Sequence, residues 1–237
     1  MNFFIQILSG LFLTFGFSND SFNSFNSINF IMLEMSFGWI FRFIHMNFVS
    51  FFFVFVFLHF FKALFFMSFK LKEVWFIGVI VILILMAESF LGYVLIWSQM
   101  SFWACTVITS LLMVIPFFGL NLVYWVWSNY FVSLLTLKLF FMLHFILPLL
   151  LIVLIFFHLF FLHNYCSTSK IYIHNSFDKI TFLPYFWLKD LLNILIIFLM
   201  FILILFNPYF FNDSEMFIEM NHLVSPIHIV PEWYFLF

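Results

Sequence analysis

Two stretches of about thirty residues, Gly38 to Met67 and Ser133 to Leu162, contain almost no charge and no polar break. A third runs from Val74 to Trp97 and a fourth from Pro184 to Phe206. Around 18 to 20 consecutive apolar residues are enough to cross the hydrocarbon core as a helix, and there the backbone has only itself to hydrogen-bond with. A shorter apolar run, Phe3 to Phe17, is a candidate first span that starts partway along a helix. Charged residues make up only 8% of the chain and hydrophobic residues 67%. A soluble domain carries about 25% charge, so a soluble enzyme, a nucleic-acid binder and a disordered chain are all excluded. The expected fold is an all-α integral membrane protein, a transmembrane helical bundle of about five spans.

The intervening segments are of different kinds. Ser18 to Asn29 is rich in Asn and Ser and is expected to be an interfacial loop with little fixed structure. Ser98 to Tyr130 is apolar but broken by Pro116, Gly119 and Asn121, and it carries a cluster of Trp. That pattern suits short helices lying in the interface, with Trp and Tyr at headgroup level. Pro148 is expected to kink the fourth span. Asn207-Pro208 closes the fifth, which divides the chain into a bundle over 1–210 and a mixed loop segment over 211–237. Neither a secretory leader nor an Arg-rich transit segment is expected, because no Lys or Arg precedes Arg42. The 46 Phe are consistent with a T-rich coding bias of the organellar kind. Cys105 and Cys166 are isolated and have neither a disulfide nor a metal spacing.

The cations give an orientation. Lys62, Lys70, Lys72, Lys170, Lys179 and Lys189 fall at one set of span ends, and Arg42 and Lys138 at the other. The first set marks the negative side of the membrane, and with it the N-terminus. Asp20, Glu34, Asp213, Glu215, Glu219 and Glu232 fall on the positive side.

Spans two and four each carry two histidines, His45 and His59, then His144 and His158, both 14 apart. At about 100° per residue, 14 steps return a side chain to within about 40° of its starting face, some 21 Å along the axis. The two spans run in the same direction, so the histidines form two pairs at two depths. Bis-imidazole ligation of two stacked haems needs that arrangement. Gly78 and Gly92 on span three are also 14 apart, and Gly10 on span one lies near the depth of Gly92. A flat macrocycle pressed between helices needs places without a Cβ.

Strings along nearly the whole chain resemble mitochondrial cytochrome b. They are Gln6-Ile7-Leu8-Ser9-Gly10-Leu11-Phe12-Leu13, Gly38-Trp39 with Arg42 and His45, Met100-Ser101-Phe102-Trp103, Thr106-Val107-Ile108-Thr109, His144-Phe145-Ile146-Leu147-Pro148 and Pro231-Glu232-Trp233-Tyr234. The resemblance implies the core of the respiratory quinol–cytochrome c reductase, complex III, running a protonmotive Q cycle with ubiquinol and ubiquinone as substrates. It implies two non-covalent haem b groups, the low-potential one on His45 and His144, the high-potential one on His59 and His158. Gly10, Gly78 and Gly92 would pack against the haems, and Arg42 and Lys62 would face propionates. Glu232 and Tyr234, with Trp103, would line the quinol oxidation site on the positive side. His163 and Asp190, beside Lys189, would serve quinone reduction on the negative side.

The implied partners are an iron–sulfur protein and a c-type cytochrome within a dimeric complex. The implied place is the mitochondrial inner membrane, N-terminus in the matrix, with a bacterial plasma membrane as the alternative. The family's C-terminal helices after Pro231-Glu232-Trp233-Tyr234, and the residues preceding the short first span, are not in the sequence. A second polypeptide supplying the missing helices, or a partial chain, would account for that. The sequence also departs from the family at Leu95-Ile96-Trp97-Ser98-Gln99, where Leu-Pro-Trp-Gly-Gln is usual, at Ala104, where Gly is usual, at Lys62, where Arg is common, and at Glu88, where the residue is normally small and neutral. An acid inside a span is a functional candidate by default. Two other readings remain: a di-haem b membrane anchor of a dehydrogenase, and a five-span structural or transport bundle whose histidines join helices.

Overall fold

A computed structural model describes residues 1–165, 179–230 and 232–236. Among the described residues eight α-helices run in order: α1 Asn2–Thr14, α2 Ser24–Leu33, α3 Gly38–Phe65, α4 Lys72–Val94, α5 Gln99–Ser110, α6 Gly119–Trp127, α7 Leu134–Asn164 and α8 Trp187–Phe206. Among the described residues the extended pairing is confined to one antiparallel bridge, Ser98 with Glu219. Among the described residues four helical stretches, α3, α4, α7 and residues 182–206 containing α8, are long and apolar enough to cross a membrane. Their outward side chains are large and apolar, among them Leu58, Leu83, Phe156 and Leu203, as lipid contact requires. The fold is therefore a membrane-spanning helical bundle. Helix α1, the expected first span, has 13 residues, roughly 20 Å, and is shorter than these four.

Helix α4 lies along α7, α1 along α3, and α8 against α3. Helix α7 starts with a capping box: the Ser133 hydroxyl accepts from the Leu135 amide, and Thr136 Oγ1 accepts from the Ser133 amide at 2.9 Å. It continues through Pro148 as one helix to Asn164. Asn47, fully buried on α3, donates to the Pro208 carbonyl at 2.9 Å and so holds the end of α8, where Asn207-Pro208 stops it. The interfacial helices α5 and α6 sit where expected. They share an apolar core of Val94, Trp97, Phe102, Val123, Leu137 and Phe140 with the ends of α4 and α7.

Two expectations are corrected. Residues 18–29 are not loop throughout, because α2 begins at Ser24. Ser24 is buried and its hydroxyl donates to the Leu95 carbonyl at 2.7 Å, while α2 packs on α3. Docking thus makes a helix of a stretch whose composition favours turns. The third span ends at Val94 rather than Trp97, since the backbone turns at Trp97 with φ of 57°. A left-handed turn at a bulky residue is costly, and here Trp97 is held by complete burial against Phe102. Ser98 that follows is extended and caps α5 in a box with Ser101, so its backbone needs no glycine.

Candidate functional site

The parallel helices α3 and α7 bring the four histidines together as two pairs. The rings of His45 and His144 have centres 6.2 Å apart and lie at 87° to each other. Those of His59 and His158 are 6.3 Å apart at 66°. A metal–imidazole bond is about 2.0–2.1 Å, and a ring centre lies about 1 Å behind its nitrogen. Two imidazoles on opposite sides of one metal therefore have centres about 6 Å apart, the separation found at both levels. Among the described residues no group of three or more His, Cys, Asp or Glu could hold a metal. The pairs suit an ion whose other ligands come from a macrocycle.

The backbone beside each pair closes directly on an imidazole ring. A Cβ on Gly10 of α1 would stand 3.0 Å from His45 Cε1. One on Gly78 of α4 would stand 3.1 Å from His158 Cε1, and one on Gly92 would overlap the His144 ring. Gly78 and Gly92, expected from spacing, and Gly10, expected from its depth, thus face ligand candidates, because helix packing at this distance leaves no volume for a side chain.

The hydrogen bonds select the free nitrogen. Ser9 Oγ donates to the Ile5 carbonyl at 2.8 Å and is left to accept from His45 Nδ1 at 3.0 Å. His144 Nδ1 lies 2.7 Å from Glu88 Oε1 and 3.0 Å from the Glu88 carbonyl. With Nδ1 engaged in both rings, Nε2 is the nitrogen available to a metal. The carbonyl of Val74, which stands to Gly78 as that of Glu88 stands to Gly92, faces His158 Nδ1 without closing a hydrogen bond. Sequence reasoning did not single out Ser9; its position next to Gly10 was the available signal.

A cleft of about 1350 Å³, part of it open at the mouth, lies beside the first pair and is bordered by Arg42, Glu88, Gly10 and Gly92. Arg42 is thus at the site. Lys62 is exposed, three positions beyond His59 on α3. Against the first pair lies a second, partly open cleft, lined by Tyr93, Asn212, Glu232 and Tyr234 together with His45 and His144. Burial, and then the charge of Asp213, push the Glu232 carboxyl up to about 7. Burial raises the Tyr234 phenol well above its ordinary value, so it stays a protonated donor.

Tyr234 lies deeper than a surface loop would place it. Its ring stacks on Phe53 of α3 at 4.6 Å and 4°, in a cluster with Leu85 and Leu151 midway between the two histidine levels. Trp233 Nε1 donates to Ser50 Oγ at 3.2 Å and ties the segment to α3. Trp103, expected in the same pocket, is elsewhere. It donates to the Asn221 carbonyl at 3.3 Å, next to the place where Gln99 Oε1 accepts from the Asn221 amide. His163 near the end of α7 and Asp190 near the start of α8 are both exposed, and among the described residues no hydrogen bond joins them. Cys105 is buried; Cys166, Lys170 and Pro231 lie outside the described residues.

Fold and site together define a membrane-spanning helical bundle with paired histidines at two levels between parallel helices. The model of the family described as Cytochrome b/b6/petB matches residues 1–166, and the chain belongs to that family. It is 51% identical over 232 residues to cytochrome b of Caenorhabditis elegans and 50% identical to that of Caenorhabditis briggsae. In each case the alignment covers 98% of this chain and 63% of the relative. Among solved structures it is similar to a chain of a hyperthermophilic respiratory complex III, with TM-score 0.89, 31% identity and coverage of 99% of this chain and 65% of that one. The chain thus spans somewhat under two thirds of the relatives it matches.

Proposed function

We propose that this chain is the di-haem b electron-transfer subunit of a respiratory quinol–cytochrome c reductase. Within the assembled complex it would oxidise ubiquinol on the positive side of the membrane and reduce quinone on the negative side, in a protonmotive Q cycle. The observation that carries the proposal is the recurrence, 14 residues apart, of one imidazole pair at metal-sandwich separation. His45 and His144 would hold the low-potential haem, and His59 and His158 the high-potential one, each through Nε2. When bound, the haems supply one-electron transfer across the apolar bundle between the two quinone sites.

The protein's own groups do the rest. Gly10, Gly78 and Gly92 leave room for the macrocycle faces, and Arg42 and Lys62 neutralise propionates. Glu232, poised near neutrality by burial and Asp213, is the proton acceptor for the quinol. Tyr234, kept protonated, donates a hydrogen bond in the same cavity. On the opposite side His163 and Asp190 donate protons to the reduced quinone. The partners are an iron–sulfur protein and a c-type cytochrome in a dimeric complex, and the place is the mitochondrial inner membrane with the N-terminus in the matrix. Support comes from family membership and from the cation distribution along the chain.

The test is haem b content per copy of this chain in the purified complex, with a reduced-minus-oxidised spectrum. Two haems per chain support the proposal, and none overturns it. Inhibition by ligands of the positive-side quinol pocket separates it from a dehydrogenase anchor, which has no such pocket.

A further inference from the structure

Glu88 is a carboxyl beside a histidine pair for which the proposed function has no use. It projects from the interior of α4, its side chain is 12% exposed, and Oε1 lies 2.7 Å from His144 Nδ1. Its other oxygen, Oε2, is buried with no hydrogen-bond partner. An under-satisfied carboxyl in an apolar bundle is expensive and persists where it has work at the site. The contact is also asymmetric between the two levels. Among the described residues His45 Nδ1 meets the neutral Ser9 hydroxyl, and His158 Nδ1 closes no hydrogen bond. Among the described residues a carboxyl stands behind a ligand ring at the first pair only.

We propose that Glu88 is a positioning residue for the His144 ligand, accepting the Nδ1–H so that this imidazole is fixed in orientation and made a stronger electron donor than its three counterparts. The idea rests on the haem reading given above. A carboxyl behind a ligating imidazole holds the tautomer with Nε2 free and raises ligand basicity. A more basic axial ligand stabilises the oxidised, more positive iron, and so lowers the reduction potential of that site alone. Glu88 would thereby widen the potential gap between the two levels, in the direction that drives electrons from the positive-side site to the deeper one. The backbone carbonyl of Glu88, 3.0 Å from the same nitrogen, remains as an acceptor when the side chain is changed, so the ring keeps its tautomer and the electronic effect is isolated.

The experiment is an equilibrium redox titration of the b-type absorbance in the assembled complex, comparing the unaltered chain with Glu88→Ala and Glu88→Gln. Glu88→Ala is expected to raise the midpoint of the lower-potential component by about tenfold in the redox equilibrium, about 59 mV for one electron, leaving the other component in place. Glu88→Gln, which keeps a weaker acceptor oxygen, is expected to move the same component upward by less. No shift in either variant, or a shift of the higher-potential component instead, overturns the proposal. If Glu88→Ala loses the chromophore, the direction of the Glu88→Gln shift decides. A b-type spectrum missing from the unaltered complex would overturn the haem reading itself, a result distinguishable from failure of the Glu88 assignment.

Discussion

His45 and His144 face each other across 6.2 Å from two parallel helices, and 14 residues further along each helix His59 and His158 repeat the relationship at 6.3 Å. The repeat arises because 14 residues are nearly four whole turns of helix. Neither pair touches the other level, so each can be tested alone.

His45→Ala is expected to remove one of the two b-type components from the difference spectrum and leave the other. His59→Ala should remove the complementary one. Haem content per chain in the purified complex checks both. Loss of both components from either variant would show that the two levels are not independent.

The glycines supply a steric version of the same test. At Gly78 a Cβ already stands 3.1 Å from His158 Cε1, so the further carbons of Gly78→Leu must displace that ring. The deeper component is expected to vanish while the first persists. Gly10→Ala, with its Cβ at 3.0 Å from His45 Cε1, asks for a smaller shift, an overpacking cost of about 1–3 kcal/mol. Weakened retention of the first haem on detergent titration is the expected result.

Glu232 makes quinol oxidation depend on pH. Its carboxyl is raised to about 7 in the folded protein, above the usual carboxylate value near 4.3. As proton acceptor it works only when ionised, so turnover by the complex should rise with pH through about 7 and then level. Glu232→Gln should flatten that rise. Asp213→Asn, which removes the second cause of the shift, should move the rise to lower pH. The stability effect has the opposite sign. The folded state holds the proton more tightly than the unfolded state, so Glu232 contributes stability at low pH that is lost as pH climbs from about 4.3 to about 7. A pH series of thermal inactivation, compared with Glu232→Gln, reads this separately from turnover.

Ser98 is a cap that directly follows the left-handed turn at Trp97. Ser98→Ala removes the acceptor for the Ser101 amide and is expected to cost about 1 kcal/mol, whereas Ser98→Gly should cost only a few tenths. Thermal stability of the two variants in the purified complex checks the order. Equal losses would mean that the buried Ser98 hydroxyl packs rather than caps.

The spanning helices and the histidine pairs were legible because both are local properties of a chain in lipid. An apolar run long enough to span must be helical, and helical periodicity then places residues 14 apart on nearly one face. Gly78 and Gly92 followed from the same arithmetic. Glu232 could be named from its motif, but its raised carboxyl depends on burial and on Asp213, 19 positions earlier. The α2 helix, the docking of Trp103 on Asn221 rather than in the quinol cavity, and the depth of Tyr234 against Phe53 had no local signal. What lies behind each ligand imidazole, Ser9 for His45 and Glu88 for His144, is likewise set by which residues of α1 and α4 face α3 and α7 across the packed interfaces. Periodicity along one helix determines which residues share a face. The angle and rotation at which two helices meet decide which of them touch, and those are collective results of packing.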